Sequence, residues 1–471
     1  MRLEGNIDIC EPGRFAGWAR DIDDPGAPLR LTAWTGRTPL GTCLADQPRA
    51  DLAEAGLGAH GFSFIPPHPL SPAECDALHV RAEHTELALF HAFGGAQPNP
   101  FLAAPPPRPA QARFRRCILH IGTEKTGTTS LQRFLALNRV KLLAQGVFVP
   151  LSLAPADPEG SLNHSDLAAL ALADWRLDDA LRLARGVSNA PSLARFRGQA
   201  AAALAAEFAT VPPEYTTLLL SSEHCHSRMQ LLHEIAALHG FLAPWVESFE
   251  VVVYLRPQHE LAMSQYAMHL LSGQQDAEML PALPYPAGYA LPRVTDPVYF
   301  DYAGLLSRWA AIFGRDAIRP AIFGAEDLHG GDVIDDFCHR LGLSTEAMAR
   351  PPRLATNISG RAQTFLRALL PVARARGGTA AAAIIGFVAA NLRRSAPGEG
   401  TLPPRAQAEA FAQPFAAGNA RLRAEWFPDR ARLFNIDFGR FPAAVDEVAL
   451  SAEEAVAQLV DLLLAETTSQ G

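Results

Sequence analysis

The sequence predicts an α/β fold with a mostly parallel sheet, preceded by a small all-β sandwich. From residue 115 onwards, apolar strand-like runs alternate with amphipathic helical segments, which is typical of a parallel sheet. Residues 1–100 instead contain short apolar runs between Pro, Gly and Asp turn signals, with little helical periodicity. Such short, turn-bounded strands favour an antiparallel sandwich for this first part of the chain.

A Pro- and Ala-rich segment lies between the two patterns and predicts the domain boundary. We expect a β-sandwich accessory domain over residues 1–100 and a linker over residues 101–114. An α/β domain should then occupy residues 115–471, with an Ala-rich helical insertion at about residues 151–209. At 471 residues, the chain is longer than one hydrophobic core usually organises, which agrees with more than one domain.

The composition excludes several classes of protein. The chain is 48% hydrophobic and 19% charged with a net charge of −8, so it lacks the basic surface of a nucleic-acid-binding protein. Six scattered cysteines without a CxxC pair indicate reduced thiols and no metal site. No apolar stretch reaches the roughly 20 residues of a membrane span, and the N-terminus lacks a signal-peptide pattern. We therefore expect a cytoplasmic protein; the sequence does not predict its oligomeric state.

Four apolar runs predict the strands of the parallel sheet. They cover residues 117–121, 216–221, 250–255 and 318–323, and each precedes a segment that can form a helix. A last helix should begin at residue 451, where a capping box precedes an apolar run.

The strongest motif follows the first of these strands, where a loop with two glycines leads into a hydroxyl-rich helix start. Gly122 and Gly127 allow the backbone to turn sharply and to approach an anion closely. The unpaired N–H groups at the start of the following helix would point at that anion. Lys125 adds a positive charge, and hydroxyl donors come from Thr128, Thr129 and Ser130. The segment therefore predicts a phosphate-binding loop.

The position of the lysine distinguishes this loop from that of nucleoside triphosphatases. The Walker A pattern has Lys directly after its second Gly, whereas this chain has Thr128 there and places Lys125 inside the loop. The displaced lysine favours a donor whose transferring end is not a triphosphate. A nucleotide kinase or NTPase remains the alternative enzymatic interpretation.

A second anion anchor is predicted after the strand at residues 250–255. Arg256 follows this strand, Pro257 suits a first helical turn, and Ser264 comes two turns later. An Arg fork and a hydroxyl can hold one phosphate together. Because ligands bind at the carboxyl ends of parallel strands, both anchors should lie in one site.

These two segments resemble the donor-binding segments of sulfotransferases that use 3′-phosphoadenylyl sulfate (PAPS). The loop from Gly122 to Ser130 resembles their 5′-phosphosulfate loop, and the spacing of Arg256 and Ser264 resembles their 3′-phosphate segment. The resemblance covers roughly residues 115–370 and implies a three-layer parallel sheet of the P-loop nucleotide-binding type. It also implies that PAPS is a co-substrate and that no metal is needed.

The resemblance assigns roles to the loop residues. It implies that Lys125 contacts the bridging oxygen between phosphate and sulfonyl group and stabilises the leaving group. The residues implied to hold the 5′-phosphate are Thr126, Gly127, Thr128, Thr129 and Ser130. The Lys-Thr-Gly-Thr-Thr core is similar to the heparan sulfate N-sulfotransferase type, which implies a hydroxyl or amine of a saccharide or glycoconjugate as acceptor.

The acceptor must lose a proton as it attacks, so a base is needed near the donor. The strand at residues 216–221 delivers Glu223, His224 and His226 to the same sheet edge. In carbohydrate-directed members a glutamate after the second strand is the base, which implies Glu223; small-molecule members use a histidine, which leaves His224 and His226 as alternatives. His164, at the start of the helical insertion, and His226 are the candidates for binding the acceptor.

The N-terminal part resembles a small β-domain attached to bacterial glycosyltransferases and sulfotransferases. The resemblance is carried by residues 15–21, 45–51 and 60–64. Trp18 and Trp34 would either pack in the core of this domain, which the pattern favours, or stack on a sugar. A catalytically inactive, saccharide-binding scaffold is therefore a further alternative function.

Overall fold

The computed structural model describes residues 1–83, 85–91, 95–102, 112–157, 160–274, 279–281, 297–352, 357–444 and 450–469. The predicted α/β fold is confirmed: the chain contains a five-stranded parallel sheet and separate antiparallel sheets. Among the described residues, no helix has both the length and the apolar character needed to cross a bilayer.

The N-terminal part contains two antiparallel sheets, one of order β1-β2-β5 and one of order β4-β3-β6-β7-β8. Side chains from both sheets form one hydrophobic cluster, including Phe15 of the first and Leu31 of the second. The bounds are β1 Leu3–Glu11, β2 Arg14–Asp21, β3 Leu29–Thr35, β4 Thr38–Ala45, α1 Ala50–Glu54, β5 Gly61–Phe64, α2 Pro72–Asp76, β6 Leu78–Ala82, β7 Leu87–Phe90 and β8 Ala96–Pro98.

The two tryptophans of this part lie outside that cluster. Trp18 and Trp34 are both half-buried, and the Arg81 guanidinium covers the Trp34 ring at 4.1 Å from its centroid. The interpretation of these residues as core tryptophans therefore fits neither of them well, because a Trp that packs in a sandwich core would be fully buried.

The five parallel strands have the order β10-β11-β9-β12-β13, with β9 in the centre. The chain moves from β9 to one edge and then crosses to the other side, so the strand order reverses between β9 and β12. Such a switch point creates a crevice at the carboxyl ends of the strands, where ligands of open α/β sheets bind. The strand bounds are β9 Phe114–His120, β10 Val147–Phe148, β11 Thr217–Ser221, β12 Val246–Leu255 and β13 Ile318–Ile322.

Helices cover both faces of this sheet, which produces three layers. Alternate residues of β12 show this arrangement: Val251 and Val253 belong to the hydrophobic cluster on one face, whereas Val252 and Tyr254 belong to the cluster on the other. The side chains alternate because successive residues of a strand point to opposite faces. Since both faces are buried, the central part of β12, residues 251–255, is continuously apolar.

The helices of this part include three in the predicted insertion, α5 to α7, although residues 160–164 before them have no regular secondary structure. The last helix begins after Ser451, which forms the predicted capping box with Glu454. The bounds are α3 Thr128–Leu137, α4 Arg139–Leu143, α5 Asp166–Ala171, α6 Ala180–Leu183, α7 Ala190–Ala209, α8 His224–Ser227, α9 Leu232–Leu242, α10 Gln258–Leu271, α11 Pro297–Phe300, α12 Tyr302–Phe313, α13 Val333–Leu341, α14 Gly360–Arg376, α15 Gly378–Ser395, α16 Arg405–Ala412, α17 Ala416–Trp426 and α18 Ala452–Ser469.

The N-terminal part packs against the helices beside the parallel sheet. Phe90 of β7 shares a hydrophobic cluster with Leu232 of α9. Arg315 forms an ion pair with Asp76 at 3.3 Å between a nitrogen and an oxygen. Most of the predicted linker, residues 103–111, lies outside the described residues, so the domain boundary at residues 101–114 stays a prediction.

Candidate active site

The predicted phosphate loop connects the central strand β9 to helix α3 at the switch point of the sheet. Gly127 is the N-cap of α3 and has φ 77°, a left-handed conformation that favours glycine. A Cβ atom on Gly127 would lie 2.7 Å from Cγ1 of Val333. Both its conformation and its close neighbour therefore require glycine at this position.

Hydrogen bonds within the loop determine which hydroxyls remain available to an anion. Thr123 donates to the main-chain oxygen of Tyr254 across 3.0 Å, and Thr126 donates to the oxygen of Thr123 across 2.6 Å. Thr126 is also fully buried, whereas Thr129 is exposed and Ser130 is half-buried at the start of α3. The hydroxyls at the helix start are thus better placed for a ligand than that of Thr126.

Lys125 lies at the tip of the loop, where φ is 61°. Its burial lowers the pKa of the ammonium group, and the nearby Arg256 and Arg393 lower it further. Glu124 and Glu223 oppose this effect, because each places a negative charge near the ammonium group. Two carboxylates therefore partly balance three cationic side chains around the loop.

Arg256 joins the second predicted anchor to the loop. It follows β12, and its Nη1 donates to the main-chain oxygen of Lys125 across 3.0 Å. Its Nη2 lies 3.4 Å from a carboxylate oxygen of Glu260, while its Nε is buried without a hydrogen-bond partner in the described part of the chain. The structure thus brings the two anchors together and leaves one donor of Arg256 unused.

Ser264 lies half-buried on α10, two turns after Arg256. The adjacent Gln265 donates its side-chain amide to Glu124, so this turn of α10 lies beside the loop. Glu124 also accepts a hydrogen bond from the Tyr299 hydroxyl across 2.8 Å. Burial alone would raise the pKa of Glu124, but the hydrogen bond from Ser227 and the charges of nearby histidines leave it below its ordinary value.

Glu223 follows β11 and lies directly against the loop. A Cβ on Gly122 would be 3.1 Å from Cβ of Glu223, so the two backbones approach each other closely. The Glu223 carboxylate accepts hydrogen bonds from the side-chain amides of Gln132 and Asn163, the latter across 3.0 Å. Glu223 therefore lies beside the predicted phosphate loop, with its carboxylate held by two amides.

The two neighbouring histidines differ in how they are held. His226 is buried, and its Nδ1 accepts from the main-chain N–H of Glu124 while Nε2 contacts the oxygen of Tyr299 at 3.0 Å. Burial lowers the pKa of His226 to about 4. His224 is half-buried, and its Nδ1 has no partner in the described part of the chain. Of the two, only His224 has a ring nitrogen available for proton transfer.

His164 is completely buried; its Nδ1 accepts from the main-chain N–H of Ser221 across 3.1 Å, and its Nε2 lies 3.0 Å from the main-chain oxygen of Pro150. Burial lowers the pKa of His164 to about 4. The ring therefore anchors the irregular segment that carries Asn163. Its predicted role in binding the acceptor stays a prediction.

Sequence reasoning missed several side chains of this site. Glu124 and Gln132 lie within or directly after the loop motif, and Asn163 precedes His164, so each was adjacent to a residue that the pattern singled out. Tyr299 and Arg393 had no such signal, because they reach the site from helices far along the chain.

A cavity of about 450 Å³ lies beside Arg256 and is lined by its neighbours Pro257 and Glu260. Phe323 both lines the cavity and faces the Arg256 guanidinium, whose central carbon is 5.8 Å from the ring centroid. A cavity of this volume is large enough for a nucleoside. The other lining residues include Phe434, Asn435, Ile436 and Asp437.

The site was compared with known proteins. A search of solved structures finds a sulfotransferase from Alicyclobacillus acidocaldarius, which is 17% identical to this chain. The match covers 59% of this chain and 96% of that chain, with a TM-score of 0.28, a value at which the superposition carries no argument about activity. No protein-family model and no curated protein matches the chain.

Among the residues that the structure describes, no group of three or more His, Cys, Asp or Glu side chains is arranged to hold a metal ion.

Proposed function

We propose that this protein transfers the sulfonyl group of PAPS to a hydroxyl or amine of a saccharide or glycoconjugate. The observation that carries the proposal is the contact between Arg256 and the main chain of Lys125, which combines two anion anchors in one site. A donor with phosphates at both its 5′ and 3′ positions would use both anchors, whereas a nucleoside triphosphate would use only the loop. The proposal includes a P-loop nucleotide-binding fold and a cytoplasmic location.

The donor would bind along the carboxyl ends of β9, β12 and β13. The N–H groups at the start of α3, with the hydroxyls of Thr128, Thr129 and Ser130, would hold the 5′-phosphate. The unused Nε of Arg256, together with Ser264, would hold the 3′-phosphate. The nucleoside would occupy the cavity lined by Phe323 and Asn435, which supply a ring for stacking and an amide for hydrogen bonds.

The reaction is a direct transfer between two oxygens, or from oxygen to nitrogen. The acceptor atom forms a bond to sulfur as the bond from sulfur to the bridging oxygen breaks, and adenosine 3′,5′-bisphosphate leaves. Lys125 would stabilise the negative charge that develops on the bridging oxygen. Glu223 would take the acceptor's proton; its backbone lies against the loop, and Gln132 and Asn163 hold its carboxylate. His224 remains the alternative base, since its Nδ1 has no partner in the described part of the chain.

Calorimetric titration with adenosine 3′,5′-bisphosphate tests the proposal. Parallel titrations use ATP with Mg²⁺ and adenosine 5′-monophosphate. We expect metal-independent binding of the bisphosphate, tighter than that of the monophosphate by about tenfold or more, because Arg256 adds a charge-assisted hydrogen bond. Binding of ATP only with Mg²⁺ would instead support a kinase or NTPase, and binding of none of the three would support an inactive scaffold.

A further inference from the structure

Both oxygens of the Glu223 carboxylate accept hydrogen bonds from neutral amides. Oε2 accepts from Nε2 of Gln132, and Oε1 accepts from Nδ2 of Asn163 across 3.0 Å. A carboxylate whose two oxygens both accept hydrogen bonds is held in one rotamer. Such a carboxylate is ready to accept a proton on its remaining lone pairs.

The two amides come from different parts of the fold. Gln132 is on α3, the helix that begins at the phosphate loop, and only 2% of its surface is exposed. Its Oε1 accepts from the Ser161 hydroxyl across 3.1 Å, so both ends of this amide are used. The segment around Asn163 is fixed by the neighbouring His164, which is fully buried. Glu223 is thus connected to the donor loop on one side and to the insertion on the other.

The amide of Asn163 differs from that of Gln132 at its oxygen. Oδ1 of Asn163 is buried and has no hydrogen-bond partner in the described part of the chain. A buried acceptor without a partner costs free energy, so its presence beside a catalytic carboxylate points to a group supplied by a ligand. A group that reaches Glu223 to lose a proton would also lie close to this oxygen.

We propose that Gln132 and Asn163 are positioning residues that orient Glu223, and that Asn163 also accepts a hydrogen bond from the acceptor. The acceptor would then carry a second N–H or O–H next to the proton that Glu223 removes, as an amine or a pair of neighbouring hydroxyls does. The inference rests on the proposed function, since it takes Glu223 as the base.

Substitution of the two amide residues should therefore have different effects on kcat and on the KM for the acceptor. Gln132→Met keeps the buried volume but removes the donor to Glu223, so kcat should fall about 10- to 100-fold with an unchanged KM for the acceptor. Asn163→Ala should lower kcat similarly and also raise the acceptor KM about tenfold. Ser161→Ala is the matched control, because it removes only the bond to the far end of Gln132, and its kcat should stay closer to that of the wild type.

The experiment measures conversion of PAPS to adenosine 3′,5′-bisphosphate with a saccharide acceptor, and binding of the bisphosphate by calorimetry. Each variant should bind the bisphosphate within twofold of the wild-type Kd, which also shows that it is folded. Each variant is then combined with Glu223→Gln. If the amides act through Glu223, Gln132→Met should cause no further loss of kcat in this background.

The outcomes separate the two proposals. A wild-type protein that does not bind the bisphosphate refutes the proposed function. A wild-type protein that binds it, with variants whose kcat is unchanged or whose losses add fully to that of Glu223→Gln, overturns only the positioning roles. A KM for the acceptor that Asn163→Ala leaves unchanged overturns the contact between Asn163 and the acceptor.

Discussion

Arg256 and Lys125 are connected by a hydrogen bond of 3.0 Å from the Nη1 of the arginine to the main-chain oxygen of the lysine. The side chain proposed to recognise the 3′-phosphate therefore also holds the loop proposed to bind the 5′-phosphosulfate. Because residues in one hydrogen-bonded network do not act independently, substitutions at the two positions should have non-additive effects. The double variant should therefore lose less binding free energy than the sum of the losses of the two single variants.

Arg256→Ala should weaken binding of adenosine 3′,5′-bisphosphate about 10- to 100-fold, because it removes a charge-assisted contact to phosphate. It should weaken binding of adenosine 5′-monophosphate by a smaller factor, through the lost support of the loop. Calorimetry with both nucleotides measures the difference. Arg319→Ala on β13 is the control, since Arg319 is exposed and, within the described part of the chain, donates to the main-chain oxygens of Asp316 and Ile318. Equal losses for the two nucleotides would contradict the 3′-phosphate role.

Lys125→Ala should lower kcat for transfer by about 100-fold or more, because the charge on the leaving group would lose its stabilising cation. Binding of the bisphosphate should change less than kcat, since this product lacks the sulfonyl group. Turnover of PAPS and calorimetry on the same preparation compare the two effects. A variant that turns over near the wild-type rate would rule out the leaving-group role.

Gly127→Ala should destabilise the protein and abolish binding of the bisphosphate. The new Cβ would lie 2.7 Å from Cγ1 of Val333. The alanine would also have to adopt the left-handed backbone conformation of Gly127, with φ 77°. Gly186→Ala is a matched control, because φ is 69° there but no atom lies within 4 Å of the added Cβ. Strain alone should cost about 1–2 kcal/mol at Gly186, and the clash should add about 1–3 kcal/mol at Gly127. If the two variants had equal denaturation midpoints, the Val333 side chain would be able to move away from the added Cβ at no cost in stability.

Stability should decrease as the pH falls from about 6.5 towards 4. Burial lowers the pKa of His164 from 6.5 to about 4, so the unfolded chain takes up this proton first. The contribution is fully present above pH 6.5 and is lost as the pH falls to about 4, at up to about 1.4 kcal/mol per pH unit. In denaturant unfolding at several pH values, His164→Gln should show a shallower slope in this window and run parallel to the wild type above it. Identical slopes would contradict the prediction.

Much of the fold could be predicted because it depends on local patterns. Alternating apolar runs and amphipathic segments predicted four of the five parallel strands, and β12 and β13 end close to where the pattern placed them. The edge strand β10 was missed because its two residues, Val147 and Phe148, are too few to form a recognisable run. The N-terminal sheets were likewise indicated by short strands between turn signals.

The phosphate loop and Arg256 could be singled out because each anchor is contiguous in sequence and its chemistry is local. The loop can be recognised without knowledge of distant residues, because Lys125, Gly127 and the helix start follow one another in the sequence. The sequence alone therefore determined the two candidate anchors and the strands that carry them. It also supplied Glu223 as a candidate base, although it did not distinguish this residue from the neighbouring histidines.

Only the tertiary structure decided which of these side chains are held by hydrogen bonds and by which partners. His226 and His164 have their ring nitrogens engaged by main-chain groups, whereas Glu223 is oriented by Gln132 and Asn163. Those partners lie up to about a hundred residues away, and no local pattern encodes which side chains meet. Hydrogen-bond partners and burial depend on packing between distant segments, so they become visible only when the sheet has brought the strand ends together.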